Sequence, residues 1–258
     1  MKGGWKMEQV LLRDLTDEGV LTLSINRPEK RNAINFQLIK EFDEAIDWAE
    51  KEPAVKIIVI RGTGDRAFCS GGDLSEFHAL HTEEDAFRML SQMGEVLYKL
   101  ATCSKPTIAY LNGHAVGGGC EIATACDVRV VKEGAKLGFV QGNQAITTGW
   151  GAGTLLMEKL PSSQALYLLY SASIITAGEA KEKGFATELV QEEQAFLSYV
   201  ERFSDKQLEV LQAYKQILLR KWEMTNLKER MLEEIKACSK LWEKDEHLEA
   251  VDIFRNGH

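Results

Sequence analysis

Two hydrophobic periods alternate along most of the chain. Val20 to Ile25 reads VLTLSI and predicts a strand. Asn26 to Asn32 is a polar loop in which Pro28 interrupts any regular element. Leu38, Ile39, Phe42, Ala45, Ile46 and Ala49 then fall at helical spacing, with Asn35 placed to cap that helix. Val55 to Ile60 (VKIIVI) is nearly all apolar, the pattern of a strand covered on both faces. Residues 83–101 return to helical spacing through Ala86, Met89, Leu90, Met93, Leu97 and Leu100. A strand at Thr107 to Leu111 leads into a Gly-rich turn, Gly113 to Gly119. A helix then runs through Cys126, and a short strand covers Val128 to Val131. Helical signals follow at 151–159 and 162–172.

Thr176 to Glu179 forms a capping box, and Gly184 suits the C′ position of the helix it opens. Ser204 to Gln207 reads as a second capping box. From there to Phe254 the chain reads as helices rich in Glu, Lys and Leu. The predicted organisation is an α/β core over residues 1–200 and a helical C-terminal region over 201–258.

Composition narrows the class. The 258 residues carry a net charge of −8, with 45% hydrophobic and 27% charged residues. Those values exclude a disordered chain, a fibre and a small disulfide scaffold. The acidic balance argues against a nucleic-acid partner, which needs a broad basic surface, but leaves room for a local basic pocket. Five cysteines, an odd number with no CxxC pair, predict neither a zinc site nor a disulfide framework. Reduced cysteines in a cytoplasmic protein fit this usage. No apolar run approaches the roughly 18 residues of a membrane span. The sequence MKGGWKMEQV has no apolar stretch of the secretory kind, and Met7 offers an alternative start.

Several segments carry candidate chemistry. Gly62 to Ala67 follows a strand and matches G-x-G-x-x-A, a dinucleotide fingerprint. That motif requires a helix to open behind it, and Phe68-Cys69-Ser70-Gly71-Gly72 is a poor helix start, so a tight turn is expected. Two further Gly-rich turns, Ser70 to Asp73 and Gly117 to Gly119, each lie downstream of an apolar strand. They read either as turns chosen for backbone conformation or as two N–H donors converging on one oxygen, an oxyanion hole. Glu121 reads either as a carboxylate favoured by a helix N-terminus or as a general acid/base whose apolar neighbours raise its pKa. Arg27, Lys30 and Arg31 form a solvated loop or a phosphate clamp. His78, His81, His114, His247 and His258 have no metal-like or triad-like companions, and His78 and His81 read as surface. Cys69-Ser70 lacks the flanking glycines of a nucleophile elbow.

Together these segments resemble the crotonase, or enoyl-CoA hydratase/isomerase, superfamily. The similar stretches are INRPEKRNAIN at 25–35, RAFCSGGDL at 66–74, KPTIAYLNGHAVGGGCEIATACDVRV at 105–130 and ITAGEAKEKGFATELV at 175–190. The resemblance implies a spiral of ββα units with a helical C-terminal trimerisation region, assembling as a homotrimer or a hexamer. It implies an acyl-CoA thioester substrate, with coenzyme A arriving as part of that substrate and no further cofactor or metal. By position, Gly72 and Gly118 would supply the oxyanion donors and Glu121 the first of two catalytic glutamates. Ala67, Ser70, Asp73 and Leu74 would line the adenine side, with Arg27 and Lys30 near the phosphates. An ungapped reading through GFVQGNQAITTGWGAGT places Asn143 at the second glutamate. One carboxylate and one amide would reduce hydration or redirect it. Three expectations follow: an enoyl-CoA hydratase/isomerase-like enzyme, a decarboxylase of an alkylmalonyl-CoA, suggested also by Trp150-Gly151, or a CoA-ester-binding protein without turnover. RNA binding, found in some relatives, does not suit the acidic charge.

Overall fold

Successive passes of the chain lay strands alternately into two sheets. The computed structural model describes residues 9–77 and 79–256, so Met7, His78 and His258 lie outside the described residues. The larger sheet contains β1 (Leu11–Leu15), β2 (Val20–Ile25), β3 (Ile57–Gly62), β5 (Thr107–Leu111), β7 (Val128–Lys132) and β10 (Glu188–Val190), in that spatial order. Only β1 and β2 pair antiparallel in it. The smaller sheet orders β4 (Ala67–Cys69), β6 (His114–Val116), β8 (Lys136–Gly138) and β9 (Ile175–Thr176). Thus β3 continues into β4, β5 into β6 and β7 into β8, each step moving from the large sheet to the small one. That is the expected spiral.

The helices are α1 (Phe36–Lys51), α2 (Leu74–Phe77), α3 (Glu83–Thr102), α4 (Gly118–Ala125), α5 (Ala152–Lys159), α6 (Ser162–Ser171) and α7 (Ala177–Glu182). After them come α8 (Glu193–Ser204), α9 (Leu208–Met224), α10 (Leu227–Trp242) and α11 (Asp245–Asn256). The apolar run around β3 is explained by two cores. Ile58 and Ile60 face the main core, while Ile57 and Val59 pack with Tyr110, Phe196, Tyr199 and Val200 beneath α8. In β2 only one face is buried, and its Leu21, Leu23 and Ile25 alternate with half-buried Val20, Thr22 and Ser24.

Local caps follow the chain's chemistry. The Asn35 side chain accepts from the Leu38 N–H at 3.0 Å, and Thr176 and Glu179 form a reciprocal capping box. Two expectations are corrected. Ser204 and Gln207 form no capping box: Ser204 ends α8, and α9 begins without a side-chain cap at Gln207. The strand expected at Val55–Ile60 runs Ile57–Gly62, because its register is set by pairing Val20 with Ile57 and Ile25 with Gly62. Helix α8 spans residue 200 and packs on the large sheet. The later helices also enter the main core, through Trp222, Met231, Ile235 and Cys238.

Candidate active site

The turn after β4 and the start of α4 meet at one cavity of about 330 Å³. Residues 70–74, 116–118, Glu121, Gln141, Gly149, Trp150 and Trp242 line it. Two left-handed glycines make the approach possible: Gly71 has φ +94° and Gly117 φ +54°. A Cβ on Gly71 would lie 3.2 Å from the Gly118 nitrogen, so the two turns are in contact. The Gly72 and Gly118 N–H groups donate to no other described residue. They are therefore available to a ligand oxygen. The turn at residues 62–67 opens no helix; it delivers the chain into β4, as the failed dinucleotide motif requires.

Glu121 lies in the first turn of α4 and is only 2% exposed. Its Oε2 accepts from the Trp150 N–H at 2.9 Å, and its Oε1 accepts from the Gly149 N–H at 3.3 Å and from Gln141 Nε2 at 2.9 Å. Burial, reinforced by the charge of Glu234, raises its pKa from 4.5 to about 8 despite those three donors. The shift favours the protonated carboxyl at neutral pH. Glu234 itself accepts from the Thr148 hydroxyl at 2.6 Å and from the N–H groups of Gly153 at 2.9 Å and Thr154 at 2.6 Å. It thereby clamps the turn that supplies two of the three donors to Glu121.

The position opposite Glu121 belongs to Gln141, not Asn143. Asn143 is exposed, donates to the Ala172 carbonyl at 2.9 Å and does not line the cavity. Both residues belong to the 3₁₀ turn Val140–Gln144, and it is Gln141 that reaches Glu121. Either reading leaves an amide facing Glu121 rather than a second carboxylate.

Arg27 is committed elsewhere than to phosphate. Its guanidinium donates to Asp73 Oδ2 at 2.7 Å and to the Ala33 carbonyl at 2.6 Å, and it does not line the cavity. Burial alone would raise the Asp73 carboxyl, but hydrogen bonds from Ser75 and Arg27 outweigh it and hold the pKa below its ordinary value. The pair fixes the 27–34 loop onto the Gly72 turn. Lys30 and Arg31 stand on the cavity lining as exposed cations. Ser70, Asp73 and Leu74 line the cavity; Ala67 is buried in β4 outside it.

Other side chains at the site gave no local signal in the sequence. Trp242 lines the cavity and donates from its indole to the Leu80 carbonyl at 2.7 Å. His247 packs on Trp242 with ring centroids 4.6 Å apart, and its Nδ1 lies 2.7 Å from the Gln144 carbonyl oxygen. His114 accepts from the Lys136 N–H through Nδ1, a contact at the rim of the small sheet. All five cysteines are free and buried, and burial pushes the Cys69 thiol up to about 12, unsuited to nucleophilic work. A larger groove of about 700 Å³ beside β1–β3 and α8 is lined by exposed carboxylates and the Arg61–Glu193 ion pair. The acidic residues that line it, Asp14, Glu18, Glu193 and Glu201, are all exposed, whereas Glu121 in the smaller cavity is buried, and the smaller cavity is the candidate site.

A double-sheet spiral carrying two apposed glycine turns and a buried glutamate defines a protein of the crotonase class. The chain belongs to the enoyl-CoA hydratase/isomerase family, whose model matches residues 16–256. It is 35% identical over 179 residues to a crotonyl-CoA hydratase of Syntrophomonas wolfei, covering 69% of this chain and 68% of that protein. It is 32% identical over 188 residues to an ethylmalonyl-CoA decarboxylase of Xenopus tropicalis, covering 72% of this chain and 62% of that protein. An enoyl-CoA hydratase/isomerase structure from Xanthobacter autotrophicus Py2 superimposes with a TM-score of 0.87 at 22% identity, covering 97% of this chain and 94% of that one. The last comparison concerns the fold. No helix among the described residues is long and apolar enough to cross a membrane.

Proposed function

We propose that this protein is an acyl-CoA enzyme of the hydratase/isomerase type, with Glu121 as its one proton-transfer group. The observation that carries the reading is a buried, weakly acidic Glu121 beside the free N–H groups of Gly72 and Gly118. The thioester oxygen accepts from both N–H groups, which favours the enolate over the neutral carbonyl. In hydration, ionised Glu121 takes a proton from water as its oxygen bonds to C3. The C2=C3 electrons move into the enolate, and Glu121 returns the proton to C2. In isomerisation the same carboxylate removes a C2 proton and delivers it to C4. Gln141 orients the carboxyl in either case. Lys30 and Arg31 at the cavity offer the cations for coenzyme A phosphates. The bound coenzyme positions the reacting carbons through contacts remote from them.

A second reading, decarboxylation of an alkylmalonyl-CoA, is favoured by the neutral amide of Gln141 and by a largely protonated Glu121. Neither repels a substrate carboxylate. Loss of CO₂ leaves its bonding electrons in the enolate, and Glu121 donates the proton to the α-carbon. Mass spectrometry of products in D₂O separates the readings. Crotonyl-CoA, a 3-enoyl-CoA and ethylmalonyl-CoA are supplied in parallel. A water adduct or a shifted double bond supports the first reading; CO₂ loss with α-deuterium supports the second. Acyl-CoA binding without turnover of any substrate refutes both in favour of a binding protein. The pH profile gives an independent sign: a base role predicts activity rising toward about pH 8, an acid role predicts activity falling above it.

The reading includes assembly as a homotrimer or hexamer in the cytoplasm. The exposed apolar residues Val210, Tyr214, Ile217 and Met224 on α9 support self-association, and light scattering tests it.

A further inference from the structure

We propose that Trp150 is the specificity-determining residue that closes the acyl end of the cavity and restricts the enzyme to short acyl groups. The inference rests on the acyl-CoA reading above and adds to it the length of the acyl chain. Trp150 is 4% exposed, yet it lines the cavity. Its six-membered ring packs against the donor turn: a Cβ on Gly118 would fall 2.2 Å from Cζ3 and 2.3 Å from Cη2. The same ring reaches the other donor turn, with Cζ2 3.9 Å from a Cβ on Gly72. The indole thus covers both oxyanion glycines at once. An acyl chain whose carbonyl oxygen is held there meets the indole as soon as it extends inward.

The turn that carries the indole is held on several sides. The Trp150 backbone N–H donates to Glu121 Oε2 at 2.9 Å. The flanking glycines are packed on both sides: a Cβ on Gly149 would fall 2.7 Å from Leu90 Cδ2, and one on Gly151 would fall 2.8 Å from Met231 Cβ. Glu234 fixes the turn immediately beyond, at Gly153 and Thr154. Leu90, Met231 and Cys238 form an apolar wall around the tryptophan turn. Removing the indole opens a space that is apolar and enclosed, which a methylene chain fills better than water does.

Isothermal titration of the full chain with CoA and with acetyl-, butyryl-, hexanoyl- and octanoyl-CoA tests this. Saturated esters report binding without hydration. In the wild type, affinity should stop improving or fall beyond butyryl. In Trp150→Ala, hexanoyl- and octanoyl-CoA should gain affinity, by about fourfold for each methylene newly buried. Free CoA, which does not reach the indole, should bind both proteins alike and so reports an intact fold. Trp150→Leu serves if the alanine protein does not fold, with a smaller gain expected. Equal chain-length profiles in wild type and variant, with CoA affinity retained, overturn the proposal while leaving the acyl-CoA reading intact. Wild-type protein that binds no CoA ester overturns both.

Discussion

Replacing Glu121 by glutamine tests the site through stability rather than turnover. The carboxyl is 2% exposed, and its pKa rises from 4.5 to about 8 on folding. An acid shifted upward keeps its proton in the native state at pH values where the unfolded chain has lost it. Between 4.5 and 8 the native state therefore holds one more proton, and unfolding free energy falls as pH rises. The slope is about 1.4 kcal/mol per pH unit, and the full window amounts to something on the order of 5 kcal/mol. The favourable contribution is complete below the unfolded value of 4.5 and lost as pH passes about 8. Glutamine does not titrate. It also turns an amide NH₂ toward one of the donors from Gly149, Trp150 and Gln141, at a cost of about 1–3 kcal/mol that does not vary with pH. Urea denaturation of both proteins should thus give curves of stability against pH that are not parallel, the wild type falling more steeply. Between about pH 5 and about pH 8 the wild type should lose about 3–4 kcal/mol more than Glu121→Gln. Parallel curves would refute the argument, because they would mean that Glu121 titrates at an ordinary value and is no poised acid.

The remaining predictions concern the parts around Glu121. Gly118→Ala should lower kcat by about 10²–10³-fold, since its methyl collides with Trp150 and turns the donor away from the oxyanion; steady-state kinetics with a circular-dichroism check on folding reads this. Arg27→Ala leaves the Asp73 carboxylate buried without its partner and should cost about 3 kcal/mol of stability, read by thermal or urea melting. Asn143→Ala should leave kcat/KM within about twofold, whereas Gln141→Leu removes a hydrogen bond to the carboxylate and should lower it roughly 10–100-fold. Equal effects at 141 and 143 would contradict the placement of Gln141 opposite Glu121.

Features that depend on a few neighbouring residues were legible in the sequence. The Asn35 cap, the Thr176–Glu179 box and the glycines that turn the chain at 71 and 117 each do their work within three or four residues. Glu121 was legible for the same reason, because it follows the glycine turn in the first turn of α4. Strands β4, β6, β8 and β9 were not, since two or three residues carry no periodicity, and their partners lie tens of residues away. Ser204–Gln207 had the residue types of a cap, but α8 continues through Ser204 and consumes it. Gln141 and Asn143 sit in one 3₁₀ turn, where neighbouring side chains point in different directions. Which of them meets Glu121 is decided by the packing of that turn.

The chemistry is divided accordingly between local and distant parts of the chain. The donor turns at 70–73 and 117–119 are short-range structures, and they suit any reaction that passes through an anionic oxygen. In the proposed function, what Glu121 does with a proton is set elsewhere. Gln141 and the turn at 148–154 surround it, and Glu234 of α10 both holds that turn and adds the charge that helps raise the glutamate's pKa. Trp150 of the same turn limits the space above the donors, while Trp242 and His247 bind the C-terminal helices to the rim through Leu80 and Gln144. Substitutions in residues 138–154 and in the last two helices can therefore alter acid strength and pocket depth while the oxyanion turns stay unchanged. That separation gives a physical account of how one fold accommodates relatives named as hydratases and as decarboxylases.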